Sequence, residues 1–173
     1  MNLLFVKSDK IGSKIIRWGL GENVSHVIVE FDGKYHQYFH SYGMRLQPLS
    51  PKEYAAIGYE VVHKIELYLP YEEECVAQDM YYKDSKYQLY DYPSFVYFGW
   101  RAALKKFFDV PFPKRNSANE RDKTLCTEAL YLAADIFADI TGYVILPTDM
   151  DLAITTPKDS YFKISEHVKE LAL

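Results

Sequence analysis

Val24-Ser25-His26-Val27-Ile28-Val29-Glu30-Phe31-Asp32-Gly33-Lys34-Tyr35-His36-Gln37-Tyr38-Phe39-His40-Ser41 decides the fold. A β-branched run ends at Asp32-Gly33, a dipeptide that accepts the positive φ angles of a two-residue hairpin turn. Residues 24–31 are therefore predicted to pair antiparallel with residues 34–41. Working outward, residues 3–6 form a short apolar strand. Ile11, Ile15, Ile16 and Trp18 suggest a short helix ended by Gly19 and Gly21. Residues 44–49 add another alternating stretch, and residues 58–69 hold the clearest period-2 alternation in the chain. The sum is an antiparallel sheet of about four or five strands within the first 70 residues.

Helical patterns follow Pro70. Residues 71–82 read as a helix whose acidic first turn, Glu72 to Glu74, complements the helix dipole. Pro93 starts a second helix that runs to Phe108 and stops before Pro111 and Pro113. After a polar loop over residues 110–123, Leu125, Ala129, Leu132, Ala133, Ile136, Phe137 and Ile140 form a stripe of helical period that ends at Gly142. The tail holds a Pro-Thr-Asp turn at 147–149 and reads as a short strand near residues 161–164. Strands first and helices later imply an α+β domain over residues 1–173, with helices on one side of the sheet.

The bulk properties exclude several classes. A net charge of −4 and a pI near 5.7 give no global attraction to nucleic acid. The cluster of Lys105, Lys106, Lys114, Arg115, Arg121 and Lys123 is interrupted by Asp109, Glu120 and Asp122, and reads as a solvated loop. No apolar run approaches the ~20 residues of a membrane span, so a cytoplasmic protein without an integral membrane segment is expected. Two cysteines make no disulfide framework, and no spacing suggests structural zinc. No cofactor or metal is expected.

Chemistry concentrates at few residues. Cys126 falls in the first turn of the 125–140 helix with Thr124 as N-cap, where free backbone N–H groups and the positive end of the dipole lower a thiol pKa. Taken alone, the position also suits a small core residue. Cys75, inside the 71–82 helix, has no such placement. A thiol nucleophile needs a base. His26 opens the first hairpin strand, where Val27 and Val29 face one side and His26 and Ile28 the other. On the partner strand His36, Tyr38 and His40 share a face. His36 and His40 lie roughly 13 Å apart at the usual strand rise, too far to share one ion.

Three groups of residues together resemble the permuted NlpC/P60-like enzymes of the YiiX/YebB type. They are Ser25-His26-Val27-Ile28-Val29 with the following Asp-Gly turn and Ser41-x-Gly43-Met44; Tyr90-Asp91-Tyr92 followed by Leu125-Cys126-Thr127-Glu128-Ala129-Leu130; and Leu146-Pro147-Thr148-Asp149-Met150. The resemblance implies a circularly permuted papain-like fold, an antiparallel sheet or partial barrel packed against helices, with histidine before cysteine. It implies Cys126 as nucleophile and His26 as base. The third position, often Glu in such relatives, falls at His40, with His36 the alternative if the hairpin register shifts. Ser25, Tyr92 and Thr127 would line the substrate site, and Glu128 would have a structural or capping role. An edge of the sheet against the 125–140 helix would suit this reading, and that helix on the far face from His26 would not.

The function so implied is hydrolysis of an amide, thioester or ester through an acyl-enzyme, on a peptide, a peptidoglycan fragment or a lipid. A lipid acyltransferase and a catalytically silent binding module of the same fold are the alternatives. The sequence leaves the oligomeric state open.

Overall fold

The computed structural model describes residues 1–39, 45–85, 89–90, 100–101, 103–104, 106–109, 123–124, 129–151 and 155–171. Strand β1 (Asn2–Ser8) is followed by helix α1 (Ile11–Leu20), the hairpin β2 (His26–Phe31) and β3 (Lys34–Phe39), β4 (Arg45–Leu49), helix α2 (Pro51–Ala56) and β5 (Tyr59–Glu66). These strands form an open five-stranded antiparallel sheet in the order β4-β3-β2-β1-β5. The hairpin turns at Asp32 (φ 44°) and Gly33 (φ 68°), the two positive φ values that the Asp-Gly signal demands. Its register sets Phe31 opposite Lys34 and Val29 opposite His36.

Helix α1 runs through Gly19 instead of ending there. Its stop is Gly21, whose left-handed backbone (φ 70°) lets its N–H reach the Arg17 carbonyl. Helix α2 adds an element that the period-2 reading passes over. The signal is local: Ser50 accepts from the Glu53 N–H, the Glu53 carboxylate accepts from the Ser50 N–H at 2.8 Å, and Pro51 fills the first helical position.

Helix α3 (Tyr71–Ser85) follows Pro70. A further helix, α4, is described at residues 100, 101, 103, 104 and 106–108, and its expected start at Pro93 lies outside the described residues. Two short strands, β6 (Leu89–Tyr90) and β7 (Lys123–Thr124), pair in parallel and set Tyr90 beside Thr124. Helices α5 (Ala129–Thr141) and α6 (Pro157–Glu170) complete the order. The tail holds the expected turn, with the Met150 N–H on the Pro147 carbonyl. The strand expected near 161–164 is instead part of α6. Thr156 caps that helix, Pro157 opens it, and Tyr161, Ile164 and Val168 recur at helical spacing against the core.

The sheet is buried on both faces. Leu3, Phe5, Val27, Val29 and Phe31 pack under α3, α5 and α6 with Tyr81, Leu130, Phe137 and Ile164. Leu4, Val6 and Ile28 face the other way, toward Tyr54 of α2. Burial of large side chains such as Leu130 and Phe137 is worth about 2–3 kcal/mol each, which is what holds the α5 stripe on the sheet. The three larger packed helices on one face satisfy the α+β expectation. Among the described residues no helix is long and apolar enough to cross a membrane.

Candidate functional site

The end of the sheet where β1 finishes and β2 begins collects polar groups. The Ser25 and Ser13 hydroxyls lie 2.6 Å apart, and the Ser13 oxygen also accepts the Ser8 N–H at 3.0 Å. Arg17 donates to the Ser8 carbonyl at 3.0 Å. These bonds fasten α1 to the strand ends and keep Ser25 buried, its hydroxyl turned to α1. His26 is half-buried, directly opposite Val6 on β1. Its ring lies 6.5 Å from that of Tyr59, and Tyr59 stacks on Tyr54 at 4.7 Å. His26 therefore belongs to the α2 side of the sheet, as the alternation with Val27 and Val29 requires.

Helix α5 covers the opposite face, where Val27 and Val29 point. The sheet meets this helix by its face and not by its edge, because the α5 stripe is wide enough to need a whole apolar surface. The body of α5 is thus across the sheet from the His26 ring.

The direction of α5 brings its start toward the His26 end. Its last turn, Phe137, Ile140 and Thr141, borders a groove of about 460 Å³ with Tyr68, Pro70, Glu73 and Tyr143. Glu74, one residue from Glu73, accepts the Asp32 N–H at 3.0 Å, so this groove lies at the hairpin-turn end of β2. A helix of 13 residues spans roughly 20 Å and a strand of six residues spans about the same. The first turn of α5 consequently lies toward the strand end that His26 opens. The groove is lined by neither cysteine nor histidine and sits at the far end.

Other segments reach the same end. The Tyr131 hydroxyl in the first turn of α5 donates to the Met150 carbonyl at 3.1 Å, which seats the 147–150 turn there. Thr156 at the start of α6 donates to Glu22 Oε1 at 2.7 Å, across 134 residues of chain. Burial raises the Glu22 pKa, and the Thr156 bond offsets part of that. No local pattern marks Glu22 or Ser13, whose roles rest on partners distant in sequence. The parallel β6–β7 pairing sets Leu89 beside Lys123 and Tyr90 beside Thr124.

Cys126, Thr127, His40 and Tyr92 lie outside the described residues. Thr124 has extended backbone in β7, and the described part of the helix after it begins at Ala129. His36 faces the helix layer. It is 1% exposed, edge-on to Phe31 at 5.5 Å and to Tyr81 at 6.1 Å, and neither ring nitrogen has a hydrogen-bond partner among the described residues. Burial, aided by the Lys34 charge, lowers its pKa to about 4. His36 and His26 are on opposite faces, so the hairpin register gives His36 no reach to the His26 ring. Cys75 is half-buried in α3. Among the described residues no group of three or more His, Cys, Asp or Glu side chains is placed to hold a metal.

These features define an α+β protein with an open antiparallel sheet and a polar cluster at one sheet end. One solved structure aligns with it: the crystal structure of the metalloprotein YiiX from Escherichia coli O157:H7, at 17% identity and a TM-score of 0.45, over 96% of this chain and 79% of that one. No family model matches the chain, and no curated protein does.

Proposed function

We propose that the chain is a thiol hydrolase with a permuted papain-like arrangement, in which Cys126 is the nucleophile, His26 the base and His40, which follows the last residue of β3 and so is not bound by its alternation, the orienting group. The Cys126 thiolate adds to the carbonyl of an amide, thioester or ester. Protonated His26 then gives its proton to the leaving amine, thiol or alcohol as the bond to carbon breaks. Water, deprotonated by His26, releases the acid from the acyl-enzyme. Backbone N–H groups at the start of the cysteine helix stabilise the oxyanion. The substrate is a peptide, a peptidoglycan fragment or a lipid, with Tyr92 and Thr127 beside it. Buried Ser25 acts from beneath, by holding the start of β2.

The observation that supports this reading is the shared end: the described start of α5 lies toward the strand end that His26 opens, and Tyr90 pairs with Thr124. His26 is the first residue of its strand, so a thiol can meet its ring around the open end of the sheet. The face relationship favours a second reading. With the α5 body across the sheet from His26, a silent binding module would keep the fold without the reaction.

Turnover of a fluorogenic panel of peptide, thioester and lipid-ester substrates separates the two, with Cys126→Ala as control. The hydrolase reading expects turnover that Cys126→Ala abolishes, and iodoacetamide labelling of Cys126 ahead of Cys75 at neutral pH. Equal labelling with no turnover on any substrate establishes the silent module.

A further inference from the structure

The solvent side of α1 is inverted for a globular protein. Ile11, Ile15 and Trp18 recur at i, i+4 and i+7 and point away from the side that buries Ile16, with Ile11 78% exposed. Helix α4 adds Trp100, Phe107 and Phe108 at i, i+7 and i+8, with Phe108 73% exposed. The two stripes join, because the Trp18 and Phe107 rings are 5.3 Å apart and Lys106 donates to the Trp18 carbonyl at 2.8 Å while lying 4.2 Å above the Trp18 ring. Scattered apolar residues need no explanation, but a joined patch of six large ones does.

Charge identifies the occupant. Residues 9–20 and 100–109 carry Lys10, Lys14, Arg17, Arg101, Lys105 and Lys106 against Asp9 and Asp109, a net of +4 in a chain whose net charge is −4. Arg17 is taken up by the Ser8 carbonyl and Arg101 is half-buried, so among the described residues Lys10, Lys14 and Lys106 are the exposed cations of these two segments, beside protruding Ile, Trp and Phe side chains, which is the makeup of an interfacial anchor. The apolar stripe enters the headgroup region and the cations meet anionic lipid. The side chains project outward with much of their surface exposed, which suits insertion into a deformable bilayer.

We infer that α1 and α4 form a peripheral docking surface for an anionic phospholipid bilayer. It does not depend on the thiol reading and needs no membrane-spanning segment. The chain has two tryptophans, Trp18 and Trp100, and both belong to the patch, so tryptophan emission, excited selectively over the tyrosines, reports on it alone.

The test mixes the full chain with phosphatidylcholine vesicles, and with phosphatidylcholine/phosphatidylglycerol vesicles, following tryptophan emission and vesicle co-sedimentation. A blue shift and sedimentation with the anionic vesicles, reversed by salt, are expected. Ile11→Ser with Phe108→Ser, and separately Lys14→Glu with Lys106→Glu, should each weaken binding at least about tenfold while circular dichroism stays unchanged. These exposed positions leave the core untouched. Equal binding to neutral vesicles, or no shift with either, overturns the inference. So does concentration-dependent self-association that buries both tryptophans without lipid.

Discussion

Ser13 and Ser25 face each other across the join between α1 and β2 with their hydroxyl oxygens 2.6 Å apart. The Ser13 oxygen also takes the Ser8 N–H, so one side chain ties the end of β1, the start of β2 and α1 together. Ser13→Ala should cost about 1–2 kcal/mol, because the mutation strands a buried hydroxyl and a backbone donor. Urea unfolding of the two proteins measures it. An unchanged midpoint would show that the junction is held by packing alone.

His36 makes stability sensitive to acid. Its pKa falls from 6.5 in the unfolded chain to about 4 in the fold, chiefly through burial. Between those values the unfolded chain binds the extra proton, so stability is complete above pH 6.5 and declines as pH drops toward 4. The loss is on the order of 3 kcal/mol at most. His36→Phe, which keeps an aromatic ring between Phe31 and Tyr81, should remove that decline. Denaturation at neutral pH and near pH 5 checks it, and a variant that keeps the full acid sensitivity would assign it elsewhere.

The α6 cap joins distant parts of the chain. Thr156 accepts the Asp159 N–H at 3.2 Å and donates to half-buried Glu22. Thr156→Ala should destabilise by about 1–2 kcal/mol, whereas Thr156→Ser should keep most of the stability. Thermal melts of both variants decide; equal losses would show that the methyl group matters and the hydroxyl does not.

The two histidines of β3 and its continuation should separate in activity. His40→Ala is expected to lower turnover strongly while an acyl-enzyme can still form at Cys126. His36→Phe is expected to leave turnover unchanged, since His36 points into the helix-covered layer opposite Val29. Steady-state rates on any substrate found active rank the two. Reversal of that ranking removes His40 from the mechanism.

Local rules in the chain were enough for the strands of the sheet and its central hairpin, though not for the strand order. Asp32-Gly33 demands positive φ, so it set the hairpin and its register, while a short apolar run marked β1 and period-2 alternation of residue types marked β4 and β5. The Ser50-Pro51-Lys52-Glu53 cap was equally local, although strand periodicity alone passes over it. The α5 stripe was legible for the same reason, since its spacing follows from the helical turn. Residues 161–164 went the other way: four residues fit a strand as well as a helix, and the Thr156 cap with the core contact of Ile164 decided for α6. Tertiary structure alone determined that α5 lies over Val27 and Val29 while His26 turns to Tyr59, and that Glu22 meets Thr156. Alternation along a strand separates two faces but does not say which one a helix will cover. That choice depends on the apolar area each face offers and on contacts between residues far apart in the chain.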